Sequence, residues 1–131
     1  MAIQLSVAVR NARLDAVEST ISTEPTLTIR TGAPPENCAA ADSGTVLATI
    51  VLPSDWMAAA DAGAKAKSGT WTDASADAEG TAAHFRIKQG ATCHMQGTVG
   101  TSGADLILDN TSIAAGQVVT ISTFTLTDAN A

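Results

Sequence analysis

Two cysteines, Cys38 and Cys93, are the residues of this chain best suited by type to covalent chemistry. Cys38 follows the stiff stretch GAPP at positions 32–35, and it could serve as a nucleophile, a metal ligand, half of a disulfide or a small apolar residue. Its neighbours Glu36 and Asp42 are acidic and would raise the pKa of a thiol. We therefore expect Cys38 to pack a rigid loop against a sheet, with Cys93 beside it as a second thiol or as a disulfide partner.

Two histidines, His84 and His94, fall on neighbouring predicted strands that form a hairpin. Strand alternation places both, together with Arg86, on the face that points away from the apolar residues. Diagonal neighbours in such a pair lie roughly 7–8 Å apart at the backbone, which is within reach of a shared metal ion. Zinc takes further ligands, and neither strand carries an acidic residue. A solvated or interfacial polar face is therefore favoured over a metal site.

The register of this hairpin depends on the loop that begins at Gln89. A two-residue turn would set Phe85 opposite His94, which buries polar groups. A three-residue loop instead sets Phe85 opposite Met95 and Arg86 opposite His94. We expect the longer loop, with its glycine, at position 90, at positive φ.

Other patterns that carry chemistry are incomplete. The acidic stretch at positions 73–79 lacks the spacing of an EF-hand and indicates an exposed loop kept soluble by charge. No serine lies in the context of a nucleophile elbow, and no glycine-rich loop enters a helix to hold phosphate. Trp56 and Trp71 could stack on a sugar, but we expect both to anchor a core or an interface. The sequence favours a non-enzymatic protein without cofactor or metal.

The composition narrows the possible partners. The chain has 131 residues, enough for one core, and a net charge of −6 with scattered lysines and arginines. This charge disfavours nucleic acid as a partner. No run of apolar residues is long enough to span a membrane, and the first residues do not resemble a secretory signal. We expect a protein made in the cytoplasm, with reduced cysteines there and no membrane partner.

One amphipathic helix is predicted at residues 5–21. Its apolar stripe would consist of positions 5, 9, 12, 16 and 17, with Arg10, Arg13 and Glu18 on the polar face. The helix would lie on its own domain or on a neighbouring subunit.

Short strands with turn residues between them are predicted for the rest of the chain. Residues 46–53 are apolar in both phases, so this strand should be central or covered on both faces. A short helical turn anchored by Trp56 should follow, then a brief strand near Trp71, and after the hairpin a second hairpin through 100–103. In the last strand the apolar phase slips, so we expect a bulge or bend near Ser122-Thr123.

These elements predict a single domain at 1–131. It would combine the helix at 5–21 with an antiparallel β-sandwich or flattened barrel of six to seven strands at 25–128. Parallel α/β architecture is disfavoured, because the connections between strands are too short for crossover helices.

A family resemblance runs through several stretches of the chain: MAIQLSVAVRNARLDAVEST, LTIRTGAPPENCAA, LPSDWMAAA, AKSGTW, TAAHFRI and LDNTSIAAGQVVTISTFTLTDANA. Together they resemble small structural proteins of tailed bacteriophages and prophages. The resemblance implies a virion protein in many copies, either a capsid decoration or cement protein or a component of the tail or its fibres. Its partners would be the major capsid protein, other virion proteins or further copies of itself. A β-sandwich module that binds carbohydrate or a host surface, and a small enzyme, are the hypotheses from other classes.

The surfaces most suited to a partner are the N-terminal helix, the proline-containing loop at 32–37 and the loop at 65–80. Including the outward face of the hairpin, the candidate contact residues are Arg10, Arg13, Pro34, Pro35, Trp71, His84, Arg86 and His94.

Overall fold

The computed structural model describes residues 3–128 and is mainly β, with one helix. The predicted class is therefore confirmed. The elements are α1 (Val7–Ile21), β1 (Thr26–Arg30), β2 (Val46–Val51), β3 (Ala64–Ala66), β4 (Trp71–Asp73), β5 (Gly80–Thr81), β6 (His84–Gln89), β7 (Thr92–Gly100), β8 (Leu106–Ile107), β9 (Ser112–Ile113), β10 (Val119–Ile121) and β11 (Thr125–Thr127). The eleven strands exceed the predicted six or seven, because several of them are only two or three residues long. Positions 1–2 and 129–131 of the predicted domain lie outside the described residues.

The main sheet has five strands in the order β2-β1-β6-β7-β8 and curls into a half-barrel. Its first four strands are antiparallel, whereas β7 and β8 run parallel over two residues. Three further two-stranded sheets pair β10 with β4, β11 with β3 and β5 with β9. Within residues 3–128, no helix has the length and hydropathy that crossing a membrane requires.

Strand β2 lies at the edge of the sheet rather than at its centre, so of the two predicted alternatives only coverage on both faces can apply. Its first half is covered on both faces, because Leu47 and Ala48 are both buried, while Val51 near its end is exposed. The acidic segment covers the free edge: the Asp77 amide donates to the Leu47 carbonyl at 2.7 Å, and the Asp73 carboxylate accepts from the Thr49 amide at 2.9 Å. The predicted solvated loop thus blocks an edge that could otherwise pair with another chain.

The core contains all four aromatic residues of the chain in one continuous row. Ring centroids lie 6.1 Å apart for Trp56 and Trp71, 5.6 Å for Trp71 and Phe124, and 5.7 Å for Phe124 and Phe85. Each indole also donates a hydrogen bond to a backbone carbonyl, at 2.9 and 3.1 Å. Both tryptophans are fully buried, which agrees with their predicted role as anchors.

Helix α1 packs in a different orientation from the predicted one. Its buried residues are Leu14 and Ile21, whereas Val9, assigned to the apolar stripe, is exposed. The helix is held mainly through polar side chains, including Asp15 and Glu18, which bind the segment at 57–65. An apolar stripe could not reveal this orientation, because several contacts that hold the helix are made by its polar side chains.

The hairpin of β6 and β7 differs from the predicted register. Gln89 pairs with Thr92, so the turn has two residues, and its glycine has the expected positive φ of 60°. The register then shifts, with His94 as an extra residue in β7, and Arg86 pairs with Gln96 rather than with His94. The bulge breaks the regular alternation on which the prediction depended, and it lets Met95 face Ile87 on the apolar side.

Three local predictions have mixed outcomes. The last strand is interrupted at 122–124, as its phase slip predicted, so that β10 and β11 join different partners. The predicted hairpin through 100–103 is wrong: the loop returns to a parallel pair, and the Asp105 carboxylate accepts from the Thr98 amide at 2.9 Å. The predicted helical turn after Pro53 is also wrong, since Met57 bridges to Lys67 in an extended segment.

Candidate functional site

A polar layer covers the face of the main sheet opposite the aromatic core. Cross-strand pairing aligns Thr28 with Arg86 and Gln96, and Arg30 with His84. The loop between β1 and β2, residues 31–45, folds over this layer; we call it the β1–β2 loop. As a result, His84 and Arg86 are buried rather than outward-facing as predicted.

Arg86 fastens the β1–β2 loop to the hairpin. Its guanidinium donates to the Asn37 carbonyl at 2.9 Å, the Ala40 carbonyl at 3.0 Å and the Asp42 carboxylate at 2.6 Å. It also donates to Gln96 Oε1 across the strand pair at 3.0 Å. The planar fork of arginine can satisfy several acceptors in fixed directions, so one side chain fixes the loop at three positions.

Asp42 is the anionic centre of the layer. Its carboxylate lies 2.7 Å from Lys88 Nζ, 2.6 Å from an Arg86 nitrogen and 3.3 Å from an Arg30 nitrogen. Hydrogen bonds from Lys88 and Arg86 lower the pKa of Asp42 from 3.8 to about 2. The carboxylate therefore remains ionised across the ordinary pH range and offsets part of the charge of three cations.

Two further contacts hold the proline-containing part of the loop. Gln96 Nε2 donates to the Pro35 carbonyl at 2.7 Å, and His84 Nδ1 lies 2.7 Å from the Gly32 carbonyl. Because a carbonyl can only accept, Nδ1 carries the proton. Among residues 3–128, His84 Nε2 is buried without a hydrogen-bond partner.

The two cysteines are brought together, in agreement with the prediction that they are neighbours. Their Sγ atoms lie 2.7 Å apart and both are half-buried thiols. Burial, and the adjacent Cys38, raise the pKa of the Cys93 thiol to about 11. A thiol with this pKa is protonated at neutral pH, which makes Cys93 a weak nucleophile in this state.

The histidines that could have shared a metal ion are separated. His84 pairs with Thr98 beneath the β1–β2 loop, whereas His94 is exposed and lines a groove with Arg13 and Val17 of α1. In the part of the chain that the structure describes, no three His, Cys, Asp or Glu residues are grouped to hold a metal ion.

The remaining contact candidates lie in three settings. Arg10 Nη1 donates to the Asp128 carbonyl at 3.1 Å, and the exposed Arg13 pairs with the Asp128 carboxylate at 3.2 Å. Pro34 and Pro35 are half-buried, and Trp71 is fully buried in the core. Trp71, His84 and Arg86 thus hold the protein's own segments together, because a buried side chain has no surface to offer a partner.

The sequence patterns also did not reveal a set of exposed hydrophobic side chains near the start of the chain. Among the described residues, five large hydrophobic side chains are exposed, and three of them lie close together in sequence: Ile3 (83%), Val7 (46%) and Val9 (45%). We call these three residues the N-terminal patch. The two valines lie two positions apart at the start of the helix. They therefore point to different sides of it, and one face cannot bury both.

Comparisons of the chain with protein-family models, with curated proteins and with solved structures find no match.

Proposed function

We propose that this protein is a non-enzymatic structural component of a tailed-bacteriophage virion, a decoration or cement protein that binds and stabilises the assembled capsid. The resemblance of the stretches quoted above to small virion proteins suggests the assembly, and the N-terminal patch supports a surface that a partner covers. Contact with a partner would remove these exposed apolar side chains from water, which favours association. Arg13, which is mostly exposed on the same helix, would add a charge that an acidic partner can meet.

The use of charged residues supports a structural role. Arg30, Arg86, Lys88 and Lys65 all bind acceptors within the chain, and the Cys93 thiol has a raised pKa of about 11. The raised pKa keeps the Cys93 thiol protonated at neutral pH, which disfavours nucleophilic chemistry there. The four cations fasten a loop or a helix to the sheet, which suits a protein that must keep its shape.

A small domain can stabilise a shell through many weak contacts. A protein that binds the assembled form more tightly than free subunits stabilises the assembly by mass action. Repetition over a lattice makes even a modest interface effective. The partners are the major capsid protein, other virion proteins and neighbouring copies of the chain. The site of action is the virion, after synthesis in the host cytoplasm. For the domain itself we propose a flattened barrel, in which the small sheets close the curled main sheet.

The burial of the tryptophans argues against the sugar-binding alternative. A sugar stacks on an exposed aromatic face. Trp56 and Trp71 both have 0% exposure, so neither can provide that face without opening the core.

Mass spectrometry of purified particles tests the proposal. Particles should be prepared from a lysate that expresses this chain, and heads should be separated from tails. We expect the chain to copurify with heads in many copies. Recovery with tails alone would favour a tail component, and absence from particles that contain the other structural proteins would contradict a virion role.

A further inference from the structure

Cys38 and Cys93 lie on two segments that are distant in sequence. They are separated by 55 residues, and their Sγ atoms are 2.7 Å apart. Sulfur atoms in a disulfide lie about 2.05 Å apart, so bond formation requires a movement of about 1 Å or less. Both residues are thiols in this structure.

The backbone around both thiols is held in place by other contacts. On the loop side, Arg86 binds the carbonyls of Asn37 and Ala40, which flank Cys38. Gln96 binds the carbonyl of Pro35 in the same loop at 2.7 Å. Arg86 and Gln96 belong to the hairpin that also carries Cys93. The two thiols therefore meet because the polar layer fixes the loop on the hairpin.

We propose that Cys38 and Cys93 form an intramolecular disulfide when the protein meets a thiol-disulfide oxidant, and that this bond locks the β1–β2 loop to the β6–β7 hairpin. With glutathione disulfide, one protein thiolate attacks a glutathione sulfur, forms a mixed disulfide and releases one glutathione thiolate. The second protein thiolate then attacks the protein sulfur of the mixed disulfide, forms the Cys38–Cys93 bond and releases the second glutathione as a thiolate. Two protein thiols lose two protons and two electrons, and one glutathione disulfide becomes two glutathione thiols.

The surroundings of the protein decide which form is present. A reducing cytoplasm keeps the thiols, and an oxidising medium outside the cell favours the disulfide. Burial, and the Cys38 neighbour, raise the pKa of Cys93 to about 11. Because the thiolate is the reacting form, closure should be slow at neutral pH and faster as the pH rises.

The lock should be measurable as thermal stability. A cross-link that closes a loop of this length restricts the unfolded chain, and its effect corresponds to a rise in Tm of roughly 10 °C.

The test uses the purified full chain, incubated in mildly alkaline buffer with oxidised glutathione and, in parallel, with a reductant. We expect oxidation to lower the intact mass by two hydrogen atoms and to protect both cysteines from alkylation. Peptide mapping should recover one linked pair that contains residues 38 and 93. The Tm of the oxidised monomer should be higher than that of the reduced protein, and it should fall back to the reduced value after reduction.

Cys38→Ser and Cys93→Ser are matched controls, since neither can form the bond and neither should show the rise in Tm. The wild-type measurements stand by themselves if a variant folds poorly. Two free thiols after prolonged oxidation of folded protein, or disulfides only between molecules, would overturn the proposal. A Cys38–Cys93 disulfide that leaves the Tm unchanged would contradict the proposal that this bond locks the loop to the hairpin.

Discussion

At the scale of single residues, Asp42 of the β1–β2 loop is the carboxylate that joins three cations of the polar layer. It faces Arg30, Arg86 and Lys88, and the first two of these cations are buried. A buried cation that loses its carboxylate keeps the cost of desolvation without compensation. The hold of the polar layer on the loop therefore depends in part on this carboxylate, beside the contacts of Arg86 and Gln96 with backbone carbonyls.

Replacing this carboxylate tests that dependence. We expect Asp42→Asn to lower the free energy of unfolding by about 2 kcal/mol, less than for a fully buried pair because Asp42 is partly exposed. Urea denaturation measures the change. Asp109→Asn, at an exposed carboxylate, is the matched control and should change stability by less than about 0.5 kcal/mol. Equal effects of the two substitutions would show that Asp42 has no special role.

The same pair of proteins has a defined pH dependence. The pKa of Asp42 is lowered to about 2 from 3.8, so its stabilising contribution is complete above the ordinary pKa and is lost as the pH falls toward 2. The difference in stability between wild type and Asp42→Asn should therefore be constant near neutrality and shrink below about pH 4. A difference that stays constant down to pH 2 would contradict the assignment.

The sequence predicts the role of Cys38 but not that of Asp42. Pro34-Pro35 and the acidic neighbours of the cysteine indicate a stiff loop with an unreactive thiol, and the structure pairs the two cysteines as neighbours. The partners of Asp42 come from two other strands, and local sequence carries no signal for such contacts. His84 and Arg86 are misplaced for the same reason, since strand alternation shows two faces but not which loop covers one of them.

At the scale of elements, helix α1 is attached mainly by polar contacts. Lys65 of β3 is buried and lies 2.7 Å from Asp15 and 3.0 Å from Glu18. Burial lowers the pKa of Lys65, but the two carboxylates more than offset this, so its pKa is raised. One buried ammonium thus links the helix to the sheet, where few apolar residues do so.

Removing this ammonium should loosen the helix. Lys65→Met keeps the length of the side chain but leaves both carboxylates without their partner, and we expect a loss of about 2 kcal/mol. Hydrogen exchange should become faster in α1 than in the β6–β7 hairpin. Lys67→Met is the matched control, because Lys67 lies over Trp71 and binds the Gly69 carbonyl rather than the helix. Unchanged protection of α1 in Lys65→Met would contradict this account.

Element boundaries show where sequence patterns succeed and fail. The alternation in TLTIR predicts β1, and the phase slip at 122–123 predicts the break between β10 and β11. Both signals are local. The edge position of β2 and the bulge at His94 depend on partners far along the chain, so a local pattern could not reveal them.

At the scale of the whole molecule, charge is unevenly distributed. The chain has seven lysines and arginines against 13 acidic residues, and three of those cations are buried. The exposed surface is therefore strongly acidic. Copies held side by side would repel one another through this surface, and salt would weaken the repulsion. Apolar contacts such as the N-terminal patch are the natural means of overcoming it.

The most direct measurement compares incorporation of three forms of the chain into particles that lack the native copy: wild type, Val7→Asp/Val9→Asp, and Val118→Asp as control. Val118 is exposed like the patch but lies elsewhere, and aspartate in the first turn of a helix is compatible with folding. Quantitative mass spectrometry should find wild type and control at equal copy number and the patch variant reduced at least about tenfold, equivalent to about 1.4 kcal/mol. Equal incorporation of a folded patch variant would contradict binding through the N-terminal patch.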